Sequence, residues 1–271
     1  MGIGSMRKLL LSAAALVVLV IGPATAADLG RKAPAYIPPP APPPPTFTGC
    51  YVNGGAGYGL NNIDHFSSPG IGFDEPQTQT STSGARGWLG RFGGGCDYQF
   101  GGGSGLRSNW VVGVFADYDT MDLSKNFELA CGCGIGNEKQ RDAWAVGGRI
   151  GYLVTPNVFT YWNGGYTETR FDGINFSDPV SFAPVASIGS QTYHGWFIGG
   201  GTEIALAGLF GMPLPTGLFW RSEYRFSSFD SANLQVTAVP GSGFHNGVEN
   251  MKPYVQTITS SLVWKFNWWG H

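Results

Sequence analysis

A stretch near the C-terminus, residues 254–268, alternates apolar and polar side chains at every second position. A period of two places successive side chains on opposite faces, so the pattern predicts a β-strand rather than a helix. If the apolar face contacts lipid, the sheet can have no free edge, because an unpaired backbone group in hydrocarbon costs several kcal/mol. This last strand is then expected to pair with the first and close a cylinder. The apolar row is Ile258, Leu262, Trp264, Phe266 and Trp268, and the polar row is Thr257, Thr259, Ser261 and Lys265.

Charged residues make up only 13% of the chain, about half the share of a typical cytosolic enzyme. The net charge is -2 and no basic block is present, which argues against nucleic acid as a partner. No apolar run after the N-terminus is long enough for a membrane-spanning helix.

The N-terminus has the pattern of an export signal. Arg7 and Lys8 precede an apolar core at residues 9–22, and Ala24 and Ala26 form a small-residue cleavage site. Residues 1–26 are therefore predicted to be a signal peptide, with a short membrane anchor as the alternative. Residues 27–47 are rich in proline and predict an extended periplasmic linker.

Eight alternating segments follow, the number found in the smallest membrane barrels. They predict an all-β fold, an eight-stranded antiparallel up-and-down transmembrane β-barrel over residues 48–268, with 269–271 as a tail. The segments are 48–60, 87–100, 109–119, 143–154, 158–171, 195–206, 218–229 and the closing stretch.

The links between these segments alternate in length. Long links are expected at 61–85, 120–142, 172–194 and 230–253, and shorter ones at 101–108, 155–157 and 207–217. Outer-membrane barrels have short periplasmic turns and long extracellular loops. The expected location is thus the bacterial outer membrane, with extracellular loops and both termini periplasmic.

Tryptophans recur near the starts of the segments. Amphipathic rings are most stable at the two membrane surfaces, so these positions predict two aromatic girdles; the alternative is the core of a soluble sandwich. Trp88, Trp144 and Trp196 are expected at the outer surface and Trp110, Trp162 and Trp220 at the inner one, joined by Tyr58, Tyr98, Tyr118, Phe226 and Trp264.

The opposite row of the segments carries ten charged residues. An eight-stranded barrel is just wide enough for side chains to fill, so opposite charges are expected to pair across the lumen. The alternative is a selectivity lining or proton path. The residues are Arg91, Asp97, Asp117, Asp119, Arg149, Glu203, Arg221, Glu223, Arg225 and Lys265.

Four cysteines fall in two pairs. Cys50 and Cys96 lie on the outward rows of the first two segments, where either a cross-strand disulfide or two free thiols would fit. Cys131 and Cys133 lie in a long link. A disulfide between them is favoured over a metal site, because no further ligands are visible nearby.

Five motifs are spread along the chain: TGCYVNGGAGYG at 48–59, GRIGY at 148–152, WNGG at 162–165, RSEYRF at 221–226 and WKFNW at 264–268. Together they resemble a known family, the outer-membrane immunogenic proteins. These are small opacity-type barrels of the porin family in Gram-negative bacteria. The resemblance implies an eight-stranded barrel with loops at the cell surface and no catalytic residues.

The sequence offers little for enzyme chemistry. Ser187 or Ser190 could be combined with His194, but no complete triad is visible, so we expect neither catalysis nor a cofactor or bound metal. The predicted function is a structural, surface-exposed barrel that contributes to outer-membrane integrity and surface interaction. A narrow porin for ions or very small solutes is the alternative, followed by a lipid-modifying enzyme. Expected partners are outer-membrane lipid, the barrel-assembly machinery through the C-terminal strand, and a host or surface ligand at the long loops.

Overall fold

The computed structural model describes residues 46–67, 79–100, 109–128, 134–207 and 214–266. Every regular element in these ranges is a β-strand. The described residues contain no helix that is long and apolar enough to cross a membrane. The strands are β1 (Gly49–Ser67), β2 (Gln79–Gln99), β3 (Trp110–Glu128), β4 (Ile135–Thr155), β5 (Val158–Phe171), β6 (Ile174–Ser177), β7 (Pro184–Ile188), β8 (Gln191–Ala205), β9 (Leu218–Phe229), β10 (Ala232–Ala238) and β11 (Gly247–Phe266).

Eight of these strands form a closed ring. Each of β1, β2, β3, β4, β5, β8, β9 and β11 pairs antiparallel with the next. The last strand pairs with the first over their full common length, from Cys50 opposite Phe266 to Ser67 opposite Glu249. The predicted eight-stranded antiparallel barrel is therefore confirmed. Trp268, predicted to extend the closing strand, lies outside the described residues.

The barrel has two different ends. At the short-turn end lie the start of β1, the end of β11 and the two-residue turn at 156–157. At the long-loop end, the short strands β6, β7 and β10 form an extension that pairs with β4 and β11. Three predicted segments lie wholly or mostly outside the described part. They are residues 1–45, with the predicted signal peptide and most of the linker, the short link at 101–108, and most of the short link at 207–217.

The predicted limits of the long links are wrong. β1 continues to Ser67, β2 begins at Gln79, and the links at 172–194 and 230–253 contain the strands of the extension. The reason is physical. Beyond the apolar band, outward positions can be polar, so the alternation that marks a strand in the sequence disappears while the backbone pairing continues.

Candidate functional site

Charged side chains converge inside the barrel because the alternation of each strand turns them to one side. Glycines on neighbouring strands provide the room. A side chain at Gly93 would collide with the Asp117 carboxylate, and one at Gly113 would collide with that of Asp97. The two carboxylates can therefore lie flat against the neighbouring strand.

A first cluster lies toward the short-turn end and is centred on Glu203, which is completely buried. Its carboxylate lies 2.9 Å from Arg221 Nη2, 3.3 Å from Arg149 Nη1 and 2.8 Å from Lys265 Nζ. Asp97 pairs with two of the same cations, accepting from Arg149 Nε at 2.8 Å and from Lys265 Nζ at 2.7 Å. Three cations and two anions, each from a different strand, thus form one network of ion pairs.

A second cluster occupies the middle of the barrel. Arg91 donates two parallel hydrogen bonds of 2.7 Å to Asp119 and a third of 2.7 Å to Glu223 Oε1. Arg225 Nη2 bridges Glu223 and Asp117 at 2.7 and 2.8 Å. The other oxygen of Glu223 accepts from Tyr161 Oη at 2.8 Å and from Asn163 Nδ2 at 2.7 Å. This cluster contains two cations and three anions.

The two clusters together hold five cations and five anions, so their formal charges cancel. All ten side chains are buried, and each has an oppositely charged partner within hydrogen-bonding distance. Since an uncompensated buried charge is strongly destabilising, such complete pairing is characteristic of a structural core. The structure brings together every lumen residue that the sequence singled out.

An aromatic layer closes the barrel at the short-turn end. Phe47 is completely buried and packs against Phe159 and Phe219, with ring centroids 5.5 and 5.1 Å apart. Lys265 Nζ lies 5.0 Å from the Phe47 ring, which adds a cation–π contact to its ion pairs. Phe47 belongs to the segment predicted to be the linker. The missed signal is that it is the first aromatic residue after the proline run.

A polar layer that sequence reasoning missed lies toward the long-loop end. His65 stacks on Phe127 at 4.1 Å, its Nε2 lies 2.7 Å from Ser83 Oγ, and its Nδ1 lies 3.5 Å from Glu249. Ser83 donates to Glu138 Oε2 at 2.9 Å. Burial raises the pKa of Glu138, which lies beyond the aromatic belt, and Glu249 raises it further, against opposing effects of His65 and Ser83.

The order serine, histidine, carboxylate in this layer resembles a catalytic triad, but the hydrogen bonds run the wrong way. In a triad the serine hydroxyl points to the histidine, which takes its proton. Here the hydroxyl of Ser83 donates to Glu138 Oε2 at 2.9 Å, and His65 Nε2 lies 2.7 Å from the Ser83 oxygen. The direction of the Ser83 hydrogen bond therefore differs from that of a triad serine.

Apolar side chains cover this polar layer on the long-loop side. They come from the barrel strands and from the extension, so the short strands act as a cover over the lumen. Between this cover and the second charge cluster, a cavity bordered by Asp119, Gln140 and Arg225 measures about 10 Å³, room for a single water at most. Members of the cover are Phe127, Phe171, Ile174, Phe176, Val185, Ile188, Leu234, Val236, Phe244 and Met251.

The outer surface of the barrel is an apolar band between two aromatic belts. In one belt Tyr58 packs on Trp88 and Trp144 on Tyr166, both with ring centroids 5.4 Å apart. In the other, Trp110 packs on Tyr152 at 5.6 Å. No outward-facing residue described between the belts is an Asp, Glu, Lys or Arg. All seven tryptophans of the predicted girdles are exposed on this surface: Trp88, Trp110, Trp144, Trp162, Trp196, Trp220 and Trp264.

The remaining candidate residues lie apart from the lumen. Cys50 and Cys96 face each other on β1 and β2 and form a disulfide, whereas Cys131 and Cys133 lie outside the described residues. His194 is exposed, with its Nδ1 2.7 Å from Tyr166 Oη and 3.1 Å from Glu168. No group of His, Cys, Asp and Glu side chains in the described ranges is arranged to hold a metal ion.

No protein-family model matches this sequence, and no curated protein matches it. Among solved structures, the outer membrane protein OprG from Pseudomonas aeruginosa is 11% identical with a TM-score of 0.51, over 82% of this chain and 99% of that one. Ail, the attachment invasion locus protein of Yersinia pestis, is 13% identical with a TM-score of 0.37, over 80% and 99%. The outer membrane protease OmpT from Escherichia coli is 9% identical with a TM-score of 0.46, over 83% and 99%. The likeness to OprG shows a shared barrel fold.

Proposed function

We propose that this chain is a structural barrel of the bacterial outer membrane, exposed at the cell surface, that contributes to membrane integrity and presents its long-loop end to the environment. One observation carries the proposal: the outward surface is an uncharged apolar band between aromatic belts, while the charges lie inside. This inside-out distribution suits a lipid solvent. Trp88 and Tyr98, which belong to opposite belts, are ten residues apart on β2, the length that a tilted strand needs to span a bilayer.

The long-loop end is proposed to be extracellular and the short-turn end, with both chain ends, periplasmic. The support is the asymmetry of the barrel. One end has the two-residue turn at 156–157, and the other carries an extension built from β6, β7 and β10. Bacterial barrels place short turns on the periplasmic side and longer loops outside.

A structural role is favoured over a channel because the lumen is filled at three levels. Phe47 and its neighbours fill one end, the paired charges fill the middle, and the apolar cover fills the other end. A side-chain-filled interior is the ordinary state of an eight-stranded barrel. The role needs no catalytic group, and we place the chain with the immunogenic, opacity-type barrels that its motifs resemble.

The proposed partners follow from this placement. Outer-membrane lipid contacts the apolar band, the barrel-assembly machinery engages β11 before the ring closes, and a host or surface ligand contacts the extension. The support for an assembly contact is that β11 pairs with β1 from Glu249 to Phe266, so that this edge of β11 stays open until closure.

Reconstitution of the mature chain in planar bilayers tests the proposal. We expect insertion, seen as quenching of tryptophan fluorescence by brominated lipid, without discrete conductance steps. A protein that stays monodisperse in buffer without detergent would contradict the membrane placement. Steady single-channel currents from inserted protein would instead favour the narrow porin.

A further inference from the structure

The wall of the barrel has an opening between β2 and β3. These two strands pair from Gln99 opposite Val111 up to Arg86 opposite Ser124, and no described residue of 79–85 pairs with one of 125–128. Both strands nevertheless continue. β2 follows β1 as far as Ser67 opposite Gln79, and β3 follows β4 as far as Glu128 opposite Ile135. The diverging strands leave a cleft, which we call the β2–β3 cleft.

The cleft lies at the membrane surface. Its lower end is Arg86, two residues above the belt residue Trp88, whose side chain is 73% exposed. Facing edges of two unpaired strands present free backbone N–H and C=O groups, which cannot be left in hydrocarbon. The opening therefore begins where the apolar band ends, at the level of lipid headgroups.

The cleft is large, and seven of its ten lining residues are polar or charged. Its volume is about 690 Å³, within the range of small-molecule sites. Amide, hydroxyl and cationic side chains line it together with strand backbone. The polar lining residues are Asn61, Asn62, Thr82, Ser83, Arg86, Ser124 and Lys125.

Two cations in the lining stand out because they have no ion pair among the described residues. Arg86 and Lys125 both border the cleft and are exposed. Lys139 and Arg170, at the same end of the barrel, do have carboxylate partners. Lys139 pairs with Asp122 at 3.0 Å and Arg170 with Asp142 at 2.8 Å.

Three carboxylates lie near the cleft. Asp122 pairs with Lys139 at 3.0 Å, Asp64 accepts a hydrogen bond from the lining residue Thr82 at 3.0 Å, and Glu138 accepts one from the lining residue Ser83 at 2.9 Å. The lining itself contains two cations and no carboxylate, offers hydroxyl and amide groups, and opens at the headgroup level. Phosphate oxygens with sugar hydroxyls complement such a surface, because cations and N–H groups are strong donors to phosphate.

We propose that the β2–β3 cleft binds the phosphorylated sugar headgroup of an outer-leaflet glycolipid. Arg86 and Lys125 contact its phosphate, and the exposed side chains of Asn62 and Thr82 contact its sugar. The acyl chains then lie on the apolar band below, beside Trp88. This inference rests on the proposed membrane placement and names the lipid that the barrel holds at its surface.

Native mass spectrometry of the refolded mature chain in detergent tests the proposal, with purified bisphosphorylated lipid A as the probe. The double variant Arg86→Gln/Lys125→Gln is expected to bind lipid A at least about tenfold more weakly than the wild type, because two charge-assisted contacts are lost. The control Arg141→Gln/Lys252→Gln removes two outward charges at the same end of the barrel, outside the cleft lining, and should bind like the wild type. Fully dephosphorylated lipid A should bind the wild type as weakly as phosphorylated lipid binds the double variant.

Equal lipid A affinity of the wild type and the double variant would overturn the proposal, as would equal binding of phosphorylated and dephosphorylated lipid. Displacement of lipid A by an equal concentration of inorganic phosphate would assign the cleft to a free anion and would also overturn it. Insertion into bilayers, measured separately by quenching with brominated lipid, tests the proposed function. A variant that inserts normally but binds lipid A like the wild type therefore refutes the cleft alone.

Discussion

Lys265, on the closing strand, places its ammonium group 2.8 Å from the carboxylate of Glu203 on β8, across the short-turn end of the lumen. Arg149 and Arg221 reach the same carboxylate, at 3.3 and 2.9 Å. Without Glu203, Asp97 would be the one anion of this cluster left to three buried cations, among the residues that the structure describes. We therefore expect Glu203→Gln to lower the free energy of unfolding by roughly 3–5 kcal/mol, measured by urea titration in lipid vesicles.

Two further variants show whether this loss comes from charge. Asp122→Asn removes an exposed carboxylate that pairs with Lys139 at 3.0 Å, and should cost less than about 1 kcal/mol. Combining Glu203→Gln with Lys265→Met removes one surplus cation, so the double variant should lose less than the two single losses added together. Strict additivity would contradict the interpretation of the cluster as one electrostatic unit.

The apolar band predicts that a charged side chain on its surface destabilises the inserted barrel. Val114 is 65% exposed on β3, midway between the belt residues Trp110 and Tyr118. An arginine there would lie near the bilayer midplane, and Val114→Arg should destabilise the inserted barrel by about 2–4 kcal/mol. Asn126→Arg, on the same outward row but beyond the belts, should change the unfolding free energy by less than about 0.5 kcal/mol. Equal effects at both positions would argue against a lipid-facing band.

The disulfide between Cys50 and Cys96 closes a loop with a sequence separation of 46. Chain-entropy arguments give such a crosslink a stabilisation of roughly 4 kcal/mol, as an upper value. In a chain with Cys131 and Cys133 replaced by serine, Cys50→Ser/Cys96→Ser should unfold at lower urea concentration. The parent chain, which keeps Cys50 and Cys96, should unfold at that lower urea concentration only after its disulfide is reduced. Alkylation of both thiols without prior reduction would show that the bond does not form.

Barrel closure and the direction of the side chains could be predicted because both depend on a local pattern. From Trp88 to Tyr98, lipid outside and a filled lumen inside impose opposite polarities on alternate residues, and the pattern survives in a single sequence. The ten lumen charges were found for the same reason.

What sequence reasoning missed lies where that constraint ends. Above the belts both faces of a strand can be polar, so the continuation of β1 to Ser67 and the layer around His65 left no periodic signal. The position of Phe47 inside the lumen depends on how residues 46–48 cross the mouth of the barrel. There Phe47 N donates to Gln99 Oε1 at 3.2 Å, a contact between residues 52 positions apart. Contacts of this range are set by the closed ring, not by neighbouring residues.

Glu138, in the polar layer beyond the belts, predicts a dependence of stability on pH. Burial, the largest effect, raises its pKa above the ordinary value of 4.5, so the folded state holds this proton more tightly than the unfolded chain. Unfolding then releases a proton, and the contribution of Glu138 to stability is lost as the pH rises from 4.5 through the folded pKa. Each unit between the two pKa values amounts to about 1.4 kcal/mol.

Glu138→Gln removes this titration but keeps an oxygen that can accept from Ser83, the hydrogen bond of 2.9 Å in the native protein. We expect the variant to be more stable than the wild type at pH 8, with a difference that shrinks toward zero as the pH falls to about 4. Urea unfolding in vesicles between pH 4 and pH 8 measures this convergence. Glu128→Gln, at the exposed end of β3, is the control for removal of a carboxylate outside the buried layer and should change the unfolding free energy by less than about 0.5 kcal/mol. Parallel stability curves for Glu138→Gln and the wild type across this range would contradict the prediction. They would show that ionisation of Glu138 does not destabilise the folded state.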